Sequence, residues 1–247
     1  MHIKPFIQKL VSEHVPLDFL SFHRYSNDPA IIAQCGRTIR AMMPAQWELH
    51  ITEWNLGVSG PFNTTAASAI STATWIGLQD FADVSTMYWG CCADYPYSAS
   101  GLGADGDGLA LFAADAGVPW KPQALAFGLW HNFSIGFQNR IDVTIAGDSL
   151  TPVFGLAGQS VSGGAVGLLL SNPTNRSVRV DLLVASAIGP TVTAWVADAG
   201  SVALCSVVSP CEVRQITDES GKVHIMGLSE GALVLDPWAV AVVGAQT

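Results

Sequence analysis

The sequence is short of charge, and of bases in particular. Only 13% of its 247 residues are charged, and 11 Lys and Arg stand against 20 Asp and Glu, for a formal net charge of −9. A nucleic-acid binder needs a basic footprint to neutralise phosphates, so no nucleic-acid partner is expected. Gly, Ser or Thr interrupts every apolar run before it reaches the roughly 18 residues of a membrane-spanning helix, so no membrane partner is expected either. GxGxxG, Walker A, HExxH, GxSxG and CxxC are all missing, which speaks against the standard nucleotide-binding, zinc-protease and α/β-hydrolase classes. Five cysteines are an odd number, so a closed disulfide framework would need an intermolecular partner. Cys91 and Cys92 are adjacent, which suits neither a relaxed disulfide nor a zinc knuckle; Cys205 and Cys211 flank SVVSP and could bridge a turn in an oxidising compartment. Apolar residues are not scarce: at 49% hydrophobic, with eight tryptophans, the chain can bury a sizeable core and is not disordered.

Two grammars follow one another along the chain. MHIKPFIQKL lacks the apolar stretch and cleavage site of a signal peptide and reads as a helix, with Ile3, Phe6, Ile7, Leu10 and Val11 on one face. Residues 17–23 read as a buried strand, 28–43 as a helix opened by Asp28 and Pro29, 47–54 as a strand, 64–82 as a small-residue helix, 84–90 as a strand, and 122–133 as a helix. Strand–helix alternation predicts a parallel sheet. From about 137, nine short apolar segments recur every 8–12 residues between Gly, Pro, Asn and Asp, from RIDVTIAG to WAVAVVG. That spacing predicts an antiparallel β-sandwich, with NPTN (172–175) and ESGK (219–222) as its clearest hairpin turns. The boundary is expected near 133–138, giving parts 1–136 and 137–247.

In a βα-repeat, reactive side chains gather where parallel strands end. Those ends hold His23 and Tyr25, then Glu53, Trp54 and Asn55, then Trp89. A carboxylate fixed at a strand end, beside an imidazole and aromatics, fits glycoside hydrolysis, which needs a nucleophile or base opposite a second carboxylic acid. Trp89 would give a sugar face its platform, and the polar groups would bond its hydroxyls. This chemistry calls for no cofactor and no metal. Asp94 with Tyr95 and Tyr97 is a loop cluster at the rim, and GADGDG (103–108) lacks the spacing and closing glutamate of a calcium loop and reads as a turn.

PLDFLSFHRYS, LHITEWN, STMYWG and GVPWKPQALAFGLWHNF, in that order, resemble the C-terminal half of family 39 glycoside hydrolases, which contains β-xylosidases and α-L-iduronidases. The likeness covers roughly residues 5–135 by motif and the remainder by architecture. It implies the C-terminal part of a (β/α)8 TIM barrel, strands six to eight, followed by an antiparallel β-sandwich. It implies further that Glu53 is the catalytic nucleophile, that His23 and Tyr25 contact sugar and nucleophile, and that Trp89 lies under the bound sugar. The implied partner is a carbohydrate, a β-xyloside or related glycoside. The family's acid/base is a glutamate preceded by asparagine at strand four, and no Asn-Glu pair occurs here. Strands one to five are therefore expected to be absent, leaving either a truncated glycosidase or a fragment or binding module without turnover. An open barrel edge exposes apolar surface, which predicts self-association.

Overall fold

A computed structural model describes residues 3–57, 60–61, 64–79, 86–88, 111, 121–146, 152–181, 192–197, 214–216 and 232–245. The order is α1 (Ile3–Ser12), β1 (Phe19–Tyr25), α2 (Pro29–Arg40), β2 (Glu48–Asn55), α3 (Thr65–Leu78), β3 (Thr86–Tyr88) and α4 (Pro122–Gly136). Eight antiparallel strands follow among the described residues: β4 (Asn139–Ile141), β5 (Phe154–Gln159), β6 (Val166–Ser171), β7 (Val178–Asp181), β8 (Val192–Ala197), β9 (Arg214–Ile216), β10 (Ala232–Leu235) and β11 (Val240–Ala245). Eight of the nine segments expected after residue 137 thus contain strands; KVHIMG lies outside the described residues, as do the Asp94–Tyr97 cluster, GADGDG and ESGK.

β1, β2 and β3 form a parallel sheet in that order. Local chemistry starts α2: Asp28 accepts the Ala30 N–H on its side chain at 2.9 Å, and Pro29 occupies the first helical position, where its missing N–H costs nothing. α2 stops at Arg40 rather than 43, as Ala41 and Met42 tighten into a turn ahead of Pro44. α3 is buried nearly all round, which its run of Ala, Ser and Thr permits. Gly77 lets α2 approach: a Cβ there would lie 3.3 Å from that of Ala33.

The second part is a six-stranded antiparallel sheet, β4-β5-β6-β11-β8-β9, with a separate β10-β7 pair. β6 is buried at every position, which explains why VGLLLS reads as a continuous apolar run instead of alternating. Leu156, Leu169, Val240 and Val242 on one side share a core with Leu125, Leu129 and Trp130 of α4 and Ala69 and Ile76 of α3. On the other side Leu168, Leu170, Ala241 and Val243 pack with Leu233 and Leu235 of β10. NPTN is not a hairpin turn. It carries the chain from β6 in the large sheet to β7 in the small one, because Asn172 is fully buried and donates to Arg176 O at 2.7 Å and Asp236 O at 2.8 Å. Those bonds tie the turn to the end of β10 rather than to a returning neighbour of β6.

One ring fixes α4 on this sheet. Gly158, Gly167 and Gly244 lie side by side on β5, β6 and β11, and Phe137 rests across all three. A Cβ would fall 2.6 Å from the Phe137 carbonyl oxygen at Gly158 and 2.5 Å from the ring at Gly244, with a closer clash at Gly167. Three aligned glycines make a trough that any side chain would fill.

Candidate active site

Glu53 reaches its face of the sheet through an irregularity. Along β1 and β2, Phe19 to Phe22 pair with Glu48 to Ile51 one for one; the next partner of His23 is Glu53, not Thr52. Leu49 and Ile51 are fully buried, so they face the helices. Strict alternation would send Glu53 the same way. The extra residue turns Glu53 to the side of His23 and returns Trp54, 1% exposed, to the buried side. The sequence carries this signal: the apolar positions 49, 51 and 54 break a period of two.

Both carboxylate oxygens of Glu53 are then held. The Tyr25 hydroxyl donates to Oε1, and His23 Nδ1 lies 3.2 Å from Oε2. The imidazole lies against the second oxygen as an ion-pair contact. The Glu53 side chain is 22% exposed and that of His23 56%. Each oxygen keeps a further lone pair, so the group is oriented yet available to an electrophile. The pleat places His23 and Tyr25 on one side of β1, two residues apart.

Asn55 pairs with Tyr25 across the ladder but is itself 1% exposed, and its Oδ1 accepts the Leu56 N–H at 2.7 Å. Asn27, which sequence reasoning missed, accepts the Gly57 N–H at 3.0 Å and so joins the loop after Tyr25 to the loop after Glu53. SNDP signals only a turn, and nothing local points to that reach. A Cβ on Gly60 would meet Asn27 Oδ1 at 2.9 Å, which is why glycine closes the second loop. Trp89 lies outside the described residues. Trp54 and Trp130 are core residues, their rings stacked at 6.5 Å, and Trp75 stacks on Trp130 at 5.1 Å; these three build the interior rather than a sugar platform.

A second carboxylate–imidazole pair, Glu48 Oε2 and His50 Nε2 at 2.8 Å, sits at the other end of β2, with Phe19 against the imidazole ring. Five residues of strand put Glu48 about 16 Å from Glu53, beyond the roughly 5–9.5 Å between the two carboxyl groups of glycosidases. Asp18 shares that far end of the strands, and Asp28 caps α2. Among the described residues, none of these three offers Glu53 a second acid. Cys35 is a free thiol packed against Ile39, Trp47 and Leu49; burial raises its pKa, opposed by the Arg24 guanidinium, so it is held as a thiol rather than a nucleophilic thiolate.

No family model matches the sequence, and no curated protein does. Solved structures do. A β-porphyranase of glycoside hydrolase family 86 from the gut bacterium Bacteroides plebeius matches with a TM-score of 0.64 at 15% identity, over 99% of this chain and 44% of that one. A family 51 α-L-arabinofuranosidase from Thermotoga petrophila matches at 0.62 and 12% identity, over 93% and 53%. A monomeric β-xylosidase from Caulobacter crescentus matches at 0.58 and 13% identity, over 100% and 60%. The chain therefore shares its fold with glycoside hydrolases of several families, and it spans about half the length of these relatives.

Proposed function

We propose that this chain carries the nucleophile of a retaining, β-xylosidase-like glycoside hydrolase site of family 39 type, with Glu53 attacking the anomeric carbon. One observation carries the reading: a carboxylate turned onto the His23 and Tyr25 face by a strand irregularity, with the Tyr25 hydroxyl donating to one oxygen and the His23 imidazole against the other. Retaining hydrolysis begins when such a carboxylate displaces the leaving group and forms a glycosyl-enzyme ester; water, activated by a second carboxyl group about 5 Å away, then releases the sugar. In this reading β1, β2 and β3 are strands six, seven and eight of a (β/α)8 barrel within residues 1–136, and residues 137–247 are a β-sandwich. In this reading the general acid/base is supplied by another polypeptide or has been lost. His23 and Trp89 contact the sugar, while Asn55 acts through the loop it holds.

An activated aryl β-xyloside tests this directly. A dinitrophenyl leaving group needs little protonation, so the chain releases a burst of about one equivalent of phenol and then stalls, while unactivated xylo-oligosaccharides survive. Hydrolysis of those oligosaccharides at a rate matching full-length relatives would contradict the missing acid. The same missing acid motivates a second reading, a module that binds carbohydrate without turnover. Titration with xylo-oligosaccharides would then show binding, with no phenol burst from the aryl glycoside.

A further inference from the structure

Asp236-Pro237-Trp238-Ala239 turns the chain from β10 into β11, closed by the Ala239 N–H donating to Asp236 O at 3.1 Å. Trp238, third in the turn, has a φ of 60°. Pro second and a positive φ third are the marks of a type II turn, and Gly or Asn normally fills that third place. A bulky residue there is an outlier that persists only where its surroundings hold it. Here they do. The Trp238 N–H donates to Thr174 O at 3.0 Å, and the Asn172 N–H donates to Ala239 O at 2.9 Å. The Asn172 side chain also donates to Asp236 O at 2.8 Å. Glycine would suit such a turn without strain, so the reason for tryptophan lies in what its indole touches.

The indole reaches into the other part of the chain. It is half-buried and packs against the cluster of Leu56, Ala67 and Ile70. Ala67 and Ile70 lie in the first two turns of α3. Leu56 opens the loop that follows β2, three residues beyond Glu53. Asn55 Oδ1 accepts the Leu56 N–H, and Asn27 Oδ1 accepts the N–H of Gly57. The loop then folds back on Leu56: a Cβ on Gly60 would lie 2.8 Å from the Leu56 Cβ. We propose that Trp238 is a positioning residue for the Glu53 carboxylate. From the antiparallel part of the chain it closes the cluster around Leu56 and so fixes the backbone where β2 ends. Its effect on chemistry rests on the reading of Glu53 as nucleophile. Without the indole the loop loosens and the carboxylate samples orientations off the line of attack, which slows the reaction more than it weakens binding.

Two readouts on the 247-residue chain test it, at a temperature where circular dichroism shows each variant folded. Trp238→Gly removes the indole and leaves a residue suited to the turn; Trp238→Phe keeps a ring there. The first readout is hydrogen exchange. In Trp238→Gly the amides of Leu56 and Gly57 are expected to speed up roughly tenfold more than those of Leu169 and Val242, which sit in the antiparallel sheet and report opening of the whole molecule. The second is esterification of Glu53 by an activated 2-fluoro-β-xyloside. Its rate at saturation is expected to fall roughly tenfold, with the half-saturating concentration within about twofold of the parent. Trp238→Phe is expected to recover the rate to within about threefold. Should Trp238→Gly not fold, Trp238→Leu is read in the same way. Leu56 and Gly57 amides that speed up no more than the sheet amides overturn the proposal, and so does an unchanged rate at saturation. A parent chain that takes no label sinks the reading of Glu53 instead, and exchange at Leu56 and Gly57 then decides by itself whether Trp238 fixes the loop.

Discussion

A hydroxyl donor and an imidazole meet one carboxylate where β1 and β2 end. Tyr25 and His23 each take a different oxygen of Glu53, so the carboxylate cannot rotate without breaking one contact. Orientation of this kind matters because a reacting atom displaced by about 1 Å can lose a hundredfold in rate. Tyr25→Phe removes one donor and leaves the ring. The rate at which Glu53 is esterified by an activated fluorosugar should then fall roughly tenfold or more, with a melting temperature within a few degrees of the parent. An unchanged or faster rate would mean that the Tyr25 bond does not position the carboxylate. At this scale the sequence was generous with identities and silent on aim. Glu53, His23 and Tyr25 could be picked out because strand ends collect chemistry. That they share a face depends on Thr52 being skipped, which the spacing of Leu49, Ile51 and Trp54 hints at and only the pairing reveals. Asn27 was illegible, since its partner Gly57 lies thirty residues away.

Elements were legible wherever a period was strong. The amphipathic α1 and α2, the apolar strands and the change of spacing near residue 137 all follow from side-chain periodicity. Connections were not, because NPTN has the composition of a hairpin turn yet links two sheets. The junction was hidden for a related reason: Gly158, Gly167 and Gly244 look like ordinary strand breakers until the register aligns them under Phe137. Gly167→Ala forces its methyl group into that ring and should cost about 1–3 kcal/mol, read as a lowered urea midpoint. Pairing it with Phe137→Leu should recover part of the loss, since the two changes act on one contact. Additive losses would show that the trough is not what holds α4.

The molecule as a whole is joined through its interior. One core runs from Ile51 and Trp54 of the parallel sheet, through Ala69, Leu129 and Trp130, to Leu169 and Val242 of the antiparallel sheet. Two buried hydrogen bonds reinforce it: Ser171 Oγ donates to Ala69 O at 2.7 Å, across 102 residues, and Trp130 Nε1 donates to Thr72 Oγ1 at 3.0 Å. A shared core predicts one cooperative unfolding event, with tryptophan fluorescence and far-ultraviolet circular dichroism changing together on heating. Two separated transitions would mean that the parts are stable alone. At its other extreme the parallel sheet has three strands among the described residues. The most direct measurement is peptide mapping by mass spectrometry after incubation with a dinitrophenyl 2-deoxy-2-fluoro-β-xyloside. The account predicts one fluorosugar per chain, esterified to Glu53 and absent from Glu53→Gln; an adduct on another residue, or the same labelling in Glu53→Gln, would contradict it.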